Sequence, residues 1–136
     1  MKLDDKDKKI ISLLRQNARV ANTTMAKQVD LTEGAVRHRI DQLVKQGAIK
    51  RFTIDTSAES GFFAIVMTKA RDDPKKAMRE IIATRIPKEA YEVSGDFDGC
   101  LIIEGESIEA IDDEIDKIRK LKSVSDTKTY VVLRKY

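Results

Sequence analysis

The chain is poor in the residues on which covalent frameworks and most reaction centres depend. It has one cysteine, Cys100, which excludes an internal disulfide, and its apolar neighbours Gly99, Leu101 and Ile102 predict a buried small side chain there. It has one histidine, His38, so a multi-histidine metal site or a histidine-based triad has nothing to build with. Tryptophan is absent, and Asn and Gln together number only 6. No apolar run approaches the roughly 20 residues that a membrane span needs. The opening MKLDDKDKK lacks the apolar core of an export signal. No metal-ligand cluster, phosphate loop or Ser/His/Asp set is visible. These absences predict a cytoplasmic protein with no membrane partner, no catalytic residues, no metal and no cofactor.

Charge is abundant instead, at 36% of 136 residues, beside a hydrophobic fraction of 41%. It is unevenly spread. Residues 1–51 hold 12 Lys/Arg against 6 Asp/Glu, whereas residues 52–136 hold 14 against 17. A basic front half and a mildly acidic back half fit a nucleic-acid module joined to something else. Fifteen isoleucines, many Lys and Glu and few amides also suit a thermophile.

The front half carries the clearest pattern. Asp4 and Asp7 resemble a capping box, and Ile10, Ile11, Leu13 and Leu14 supply one helix face. From Asn22 to Arg51 the chain reads as short helix, tight turn, second helix and basic strand. Met25, Ala26 and Val29 form an apolar stripe, and Val36, Ile40 and Leu43 repeat at i, i+4, i+7. Thr32 suits an N-cap and Gly47 a helix stop. This is a helix-turn-helix, and its second helix is the one to read double-stranded DNA. With Val36, Ile40 and Leu43 inward, Gly34, His38, Asp41 and Lys45 point outward, flanked by Arg37 and Gln42. Arg suits guanine edges, Gln suits adenine, and a small Gly permits close approach. Arg39 lies nearer the core flank, placed to reach a phosphate or an acidic neighbour. Thr32, Lys50 and Arg51 complete the expected DNA-binding set. The basic strand is expected over Ile49–Asp55, making a winged-type or tri-helical module.

Residues 56–61, TSAESG, read as a linker between a DNA-binding domain, 1–55, and a second domain, 62–136. The second domain reads strand, helix, strand, strand, helix, strand. Asp73-Pro74 and Ser107 mark its helix starts, and Gly95-Asp96-Phe97-Asp98-Gly99 marks a hairpin between strands over Tyr91–Ser94 and Cys100–Glu104. Ala77, Met78, Ile81 and Ile82 line its first helix; Ile108, Ile111, Ile115, Ile118 and Leu121 line its second. Val124–Leu133 closes the sheet. The order predicts a ferredoxin-like βαββαβ domain and an α+β fold overall. One face of such a sheet carries helices. The other needs cover, so a homodimer at least is expected, with Phe62, Ile65 and Val131 as apolar contacts.

Both halves resemble the leucine-responsive regulatory protein/AsnC family, the feast/famine regulators of prokaryotes. The resemblance rests on Leu3-Asp4-Asp5-Lys6-Asp7, on Leu31-Thr32, Ala35-Val36-Arg37, Arg39-Ile40, Leu43 and Gly47-Ala48-Ile49, and on Val93-Ser94-Gly95-Asp96-Phe97-Asp98. Val124, Thr127, Thr129, Val132 and Leu133 extend it to the closing strand. Two positions depart. Asp30 stands in the turn where glycine is usual, and Gly99 replaces a bulkier residue. The resemblance implies a transcription regulator of amino-acid metabolism genes whose C-terminal domain dimerises, assembles into rings such as octamers, and binds a small effector, often an amino acid, beside the hairpin. Gly95, Asp96, Asp98, Thr127 and Thr129 would then form the effector site. Turn N–H groups would hold a carboxylate, Asp96 or Asp98 an ammonium, and the two threonine hydroxyls the remainder. Glu92, Glu104 and Glu106 tilt the expected effector towards a basic amino acid such as lysine. The alternatives are an architectural DNA binder without effector control, and a metabolite-sensing module acting through a protein partner.

Overall fold

Asp4 opens the first helix, α1 (Asp5–Gln16), through a complete capping box: its side chain accepts from the Asp7 N–H, and the Asp7 side chain accepts from the Asp4 N–H. Two further helices, α2 (Asn22–Val29) and α3 (Glu33–Lys45), complete the N-terminal unit. The computed structural model describes residues 2–56 and 61–136, and the chain divides into two units at residues 57/58. Residues 57–60 of the expected linker lie outside the described residues.

The helices close on the residues that the 3.6-residue period singles out. Ile10, Leu13, Met25, Ala26, Val29, Val36 and Leu43 are buried, with Ile11, Leu14 and Ile40 packed at the margin. The α2–α3 turn has Asp30 in the left-handed conformation (φ 54°), which Asp tolerates better than most side chains. Thr32 caps α3 by accepting from the Ala35 N–H at 3.2 Å. Gly47 takes a left-handed φ of 76° two residues past the helix. The basic strand expected over Ile49–Asp55 does not form. The segment has no ladder partner among the described residues, and Phe52 and Ile54 are exposed along it. Alternating composition alone does not make a strand; a second backbone must supply the hydrogen bonds. The module is tri-helical among the described residues.

The C-terminal unit runs β1 (Phe62–Ala70), α4 (Pro74–Ala83), β2 (Glu89–Glu92), β3 (Gly99–Gly105), α5 (Ile108–Arg119) and β4 (Val124–Val131). The sheet order is β2-β3-β1-β4 with every neighbouring pair antiparallel, the ferredoxin-like arrangement expected. Asp73 caps α4 ahead of Pro74, and Ser107 caps α5. Ala64, Val66, Leu101 and Ile103 project from the sheet onto Met78, Ile81, Ile111, Ile115 and Ile118 of the helices. Ile82 and Ile108, expected on the buried faces, are about half exposed, at 54% and 49%. Ile82 follows the fully buried Ile81 and is turned about 100° away from it, and Ile108 is the first residue of α5.

Register assigns the rest of the sheet. Phe63, Ile65 and Met67 on β1 pair with Glu104, Ile102 and Cys100 on β3, all on the helix-free face. Tyr91 and Tyr130 join them through pairing with Cys100 and Ile65. Cys100 is therefore half-buried on an open apolar face, not in the core. Phe62 and Val131, expected beside Ile65, have the opposite parity. They lie with Ile108 and Leu133 around a groove of about 300 Å³ at the far end of the helix-covered face. The expected apolar contact is thus two patches on opposite faces.

Candidate functional site

The recognition helix α3 separates its duties by face. Val36 and Leu43 are fully buried, whereas Gly34, Arg37, His38, Asp41 and Lys45 are exposed and Gln42 is half-buried. A side chain at Gly34 would meet nothing within 4 Å, so packing does not require glycine there. Its value is a surface without a side chain. Arg37 donates to the Glu33 carboxylate one turn earlier and must exchange that partner to reach a base. Thr32 keeps its oxygen on the Ala35 N–H, leaving its hydroxyl hydrogen for a phosphate at the positive end of the helix. Lys50 and Arg51 follow on the exposed extended segment.

Arg39 stands apart. Its Nη1 donates to Asp4 Oδ2 at 2.7 Å and to Asp7 Oδ1 at 2.8 Å. The paired carboxylates raise its already high pKa. The Asp4 carboxyl is held below the usual carboxylate range, first by the Asp7 N–H and then by Arg39. Of the two roles that its position allowed, Arg39 fills the acidic-neighbour one.

In the C-terminal unit, the hairpin folds onto the end of β1. The Asp98 N–H donates to the Thr68 carbonyl at 2.9 Å, and the Asp98 carboxylate accepts from the Ala70 N–H at 2.7 Å. Gly95 holds a φ of 145°, open to glycine. Asp96 is exposed. Gly99 is demanded by packing: a Cβ would lie 2.4 Å from Thr68 Oγ1 and 2.9 Å from Met78 Cε.

Thr127 and Thr129 share one face, as their spacing requires, and pairing with Thr68 and Val66 turns that face towards the helices. Thr127 Oγ1 accepts from Arg119 Nε at 3.0 Å, and Arg119 also reaches Asp116 at 2.8 Å. Thr129 Oγ1 is buried and has no partner among the described residues. Gly99, Thr68 and Thr127 stand level on adjacent strands, about 10 Å from first to last. Thr129 lies one pleat repeat further in, about 7 Å. The expected effector residues therefore gather at one end of the sheet. The expected acidic neighbourhood does not. Glu104 pairs with Phe63 near the opposite end and is bound to Lys88 at 2.6 Å, and Glu106 lies beyond it. Glu92 alone shares the hairpin end. No group of three or more potential metal ligands exists among the described residues, and no described helix is long and apolar enough to cross a membrane.

Comparison with known proteins agrees with this architecture. Residues 3–44 match the AsnC-type helix-turn-helix domain, and residues 61–136 match the Lrp/AsnC ligand binding domain. The HTH-type transcriptional regulator LysM of Sulfurisphaera tokodaii is 40% identical over 97% of this chain and 96% of its own length. Among solved structures, the leucine response regulatory protein LrpA of Mycobacterium tuberculosis covers 98% of this chain and 94% of its own at a TM-score of 0.82 and 22% identity. The feast or famine regulatory protein from M. tuberculosis complexed with L-methionine covers 99% and 95% at 0.79 and 22% identity. At that identity the two structures speak for the fold. An AsnC-type helix-turn-helix followed by a ligand-binding βαββαβ domain, over nearly the full length of its relatives, makes this chain a member of the Lrp/AsnC family of transcriptional regulators.

Proposed function

We propose that this regulator reads specific DNA through the outward face of α3 and responds to an amino acid bound at the hairpin end of the sheet. Amino-acid metabolism genes are the targets. The observation that carries the DNA reading is the row Gly34, His38, Asp41 and Lys45, exposed beside Arg37 and Gln42 while the opposite side of the same helix is locked in the core. A dimer would set two such helices one or two helical turns of DNA apart. The test is footprinting of full-length wild type against the Arg37→Ala/Gln42→Ala/Lys45→Ala variant. Protection of a defined site by the first and not the second is expected. Equal protection by both would sink the reading.

Dimerisation is supported by the open sheet face, where Phe63, Ile65, Met67, Ile102, Tyr91 and Tyr130 lie without helices over them. An antiparallel sheet turned to water normally alternates to polar residues on that side. The exposed Phe52 and Ile54 on an unpaired extended segment point the same way. Octameric rings follow from repeating a second contact, for which the Phe62/Val131 groove offers apolar surface. Light scattering of the full chain checks this; a monomer at tens of micromolar, roughly where weak dimers dissociate, would refute it.

For the effector, the solved relative holding L-methionine supports an amino acid. The unpartnered Thr129 hydroxyl and the exposed Asp96 supply a polar acceptor set, with the turn N–H groups beside Gly95 for the carboxylate. A basic side chain such as that of lysine is favoured by Asp96 and Glu92 together. Calorimetry across the standard amino acids tests it. A second reading, architectural binding without effector control, is favoured by one observation: Asp98 and Thr127 are already engaged inside the fold. Absence of heat with every amino acid would select that reading.

A further inference from the structure

The N-cap and first turn of α1 are wired to the recognition helix through two carboxylates, those of Asp4 and Asp7. Each splits its oxygens between two tasks. Asp4 Oδ1 caps α1 on the Asp7 N–H at 2.8 Å, and Asp7 Oδ2 returns the bond to the Asp4 N–H at 3.2 Å. The remaining oxygens, Asp4 Oδ2 and Asp7 Oδ1, both take Arg39 Nη1. The same turn reaches the helix-turn-helix a second time, where Lys6 Nζ donates to the carbonyl of Asp30, the left-handed residue between α2 and α3, at 3.1 Å. One turn of α1 thus grips the turn before α3 and the middle of α3 itself. The Asp7 half of the grip is sheltered, with the Arg39 side chain 29% exposed and that of Asp7 16%, whereas the Asp4 side chain is 54% exposed.

We propose that Arg39, Asp4 and Asp7 are positioning residues that set the rotation and tilt of the recognition helix, and that Arg39 does not read DNA itself. The proposal rests on α3 being the DNA-reading helix. Arg39 follows His38 and precedes Gln42 on α3 by less than one turn, so a helix released at Arg39 carries both out of register with base edges. The two carboxylates also cancel the attraction of Arg39 for phosphate, which leaves geometry as its contribution.

The test exploits opposite signs. Asp4→Asn/Asp7→Asn removes two negative charges from the DNA-binding unit, so electrostatics alone tightens DNA binding. Asn is as good an N-cap as Asp at position 4, and an amide oxygen at position 7 can still accept the position-4 N–H, so α1 is kept; circular dichroism and the thermal midpoint verify that. Full-length wild type first selects an operator from a pool of random duplexes. Affinities for that operator and for a scrambled duplex of equal length are then measured at several salt concentrations. In the Asn variant the operator-to-scrambled ratio is expected to fall about tenfold, the size of one lost base contact, while scrambled-duplex affinity is unchanged or higher. Arg39→Lys keeps the charge but ends one bond short of the Nη1 position that holds both carboxylates, and the same fall is expected. Combined with the Asn variant it should add little, because all three residues act through one contact. An unchanged ratio in the Asn variant overturns the proposal. So does equal weakening of Arg39→Lys on both duplexes, which would make Arg39 a phosphate contact. Failure of the wild type to select any sequence would remove the DNA reading and this proposal together, and is recognised before a variant is made.

Discussion

On α3, the residues that point away from the core have few duties in the fold. Gly34, His38, Asp41 and Lys45 are exposed, and Arg37 is paired with its neighbour Glu33 one turn away. At the hairpin end of the sheet the opposite holds. Asp98 secures the Ala70 N–H, Thr127 receives Arg119, and Gly99 is required by Thr68 and Met78. A helix sorts its side chains by angle, so one face packs while the other is left for a partner. A sheet end is assembled from segments far apart in the chain, and residues that could serve a ligand are first used to join those segments. The consequence is that substitutions should separate binding from stability on α3 and confound them at the hairpin.

Two glycines give the widest contrast. Gly99→Ala drives a Cβ into Thr68 Oγ1 and Met78 Cε inside a packed layer, a loss of about 2–3 kcal/mol of stability, towards the upper end of overpacking costs. Gly34→Ala meets open space and removes a poor helix former, a gain of up to about 1 kcal/mol; DNA affinity should nevertheless fall. Urea unfolding and DNA titration of the same two variants decide the matter, and a stable Gly99→Ala would break the contrast. Next in size, Arg37→Ala should cost about 1–3 kcal/mol of operator binding if it reads a base edge. Its ion pair with Glu33 is a surface i,i+4 pair worth only about 0.3–0.5 kcal/mol, so thermal stability should barely move.

The aspartates of the hairpin sharpen the other side. Asp98→Ala leaves the Ala70 N–H without its acceptor, about 1–2 kcal/mol of stability for a part-buried donor. Asp96→Ala, at an exposed position, should change stability by less than about 0.5 kcal/mol. If Asp96 holds the effector ammonium, its loss shows in calorimetry as at least a tenfold weaker amino-acid affinity, from a charge-assisted bond of about 1.5–3 kcal/mol. Equal effects of the two substitutions in both assays would remove the distinction.

The smallest effect concerns acid. Asp4 has a carboxyl pKa lowered in the folded chain by the Asp7 N–H and by Arg39. A lowered carboxyl pKa adds stability above the unfolded value, near 3.9, and that increment disappears as pH falls through the folded value. The helical unit should therefore weaken below about pH 4. Asp4→Asn should flatten that dependence in thermal unfolding between pH 3 and 6.

Legibility in the sequence followed the same divide. Helix periodicity placed the N-terminal core, and Asp4, Asp7, Thr32 and Gly47 announced the helix boundaries because caps are local chemistry. The βαββαβ order was legible from Asp73-Pro74, the glycine-bounded hairpin and Ser107. What escaped depended on register or on distant pairing. Composition groups Phe62 and Val131 with Ile65, which one residue of strand parity forbids. Nearness in sequence suggests Glu104 for the hairpin neighbourhood, but register carries it to the other end and to Lys88. The Ile49–Asp55 segment had strand composition without a partner strand. The Arg39 clasp spans 32 and 35 residues; nothing local to α3 names Asp4 and Asp7, and an arginine on the core flank leaves a phosphate and an acidic neighbour equally open.

The strand order β2-β3-β1-β4 leaves two rims, and their composition governs how the protein behaves when crowded. β2 is only four residues long and carries Glu89 and Glu92; β4 carries Asp126 and Lys128. Short length and charge are what discourage one rim from adding to another in open-ended stacks. Most of the apolar surface of this sheet lies on its open face, where the proposed partner would close it, and the edge strands carry charge, where growth would not close. A protein arranged in this way can concentrate into finite, symmetric particles without seeding fibres, and removing Lys128 or Glu89 should show first as turbidity on prolonged storage.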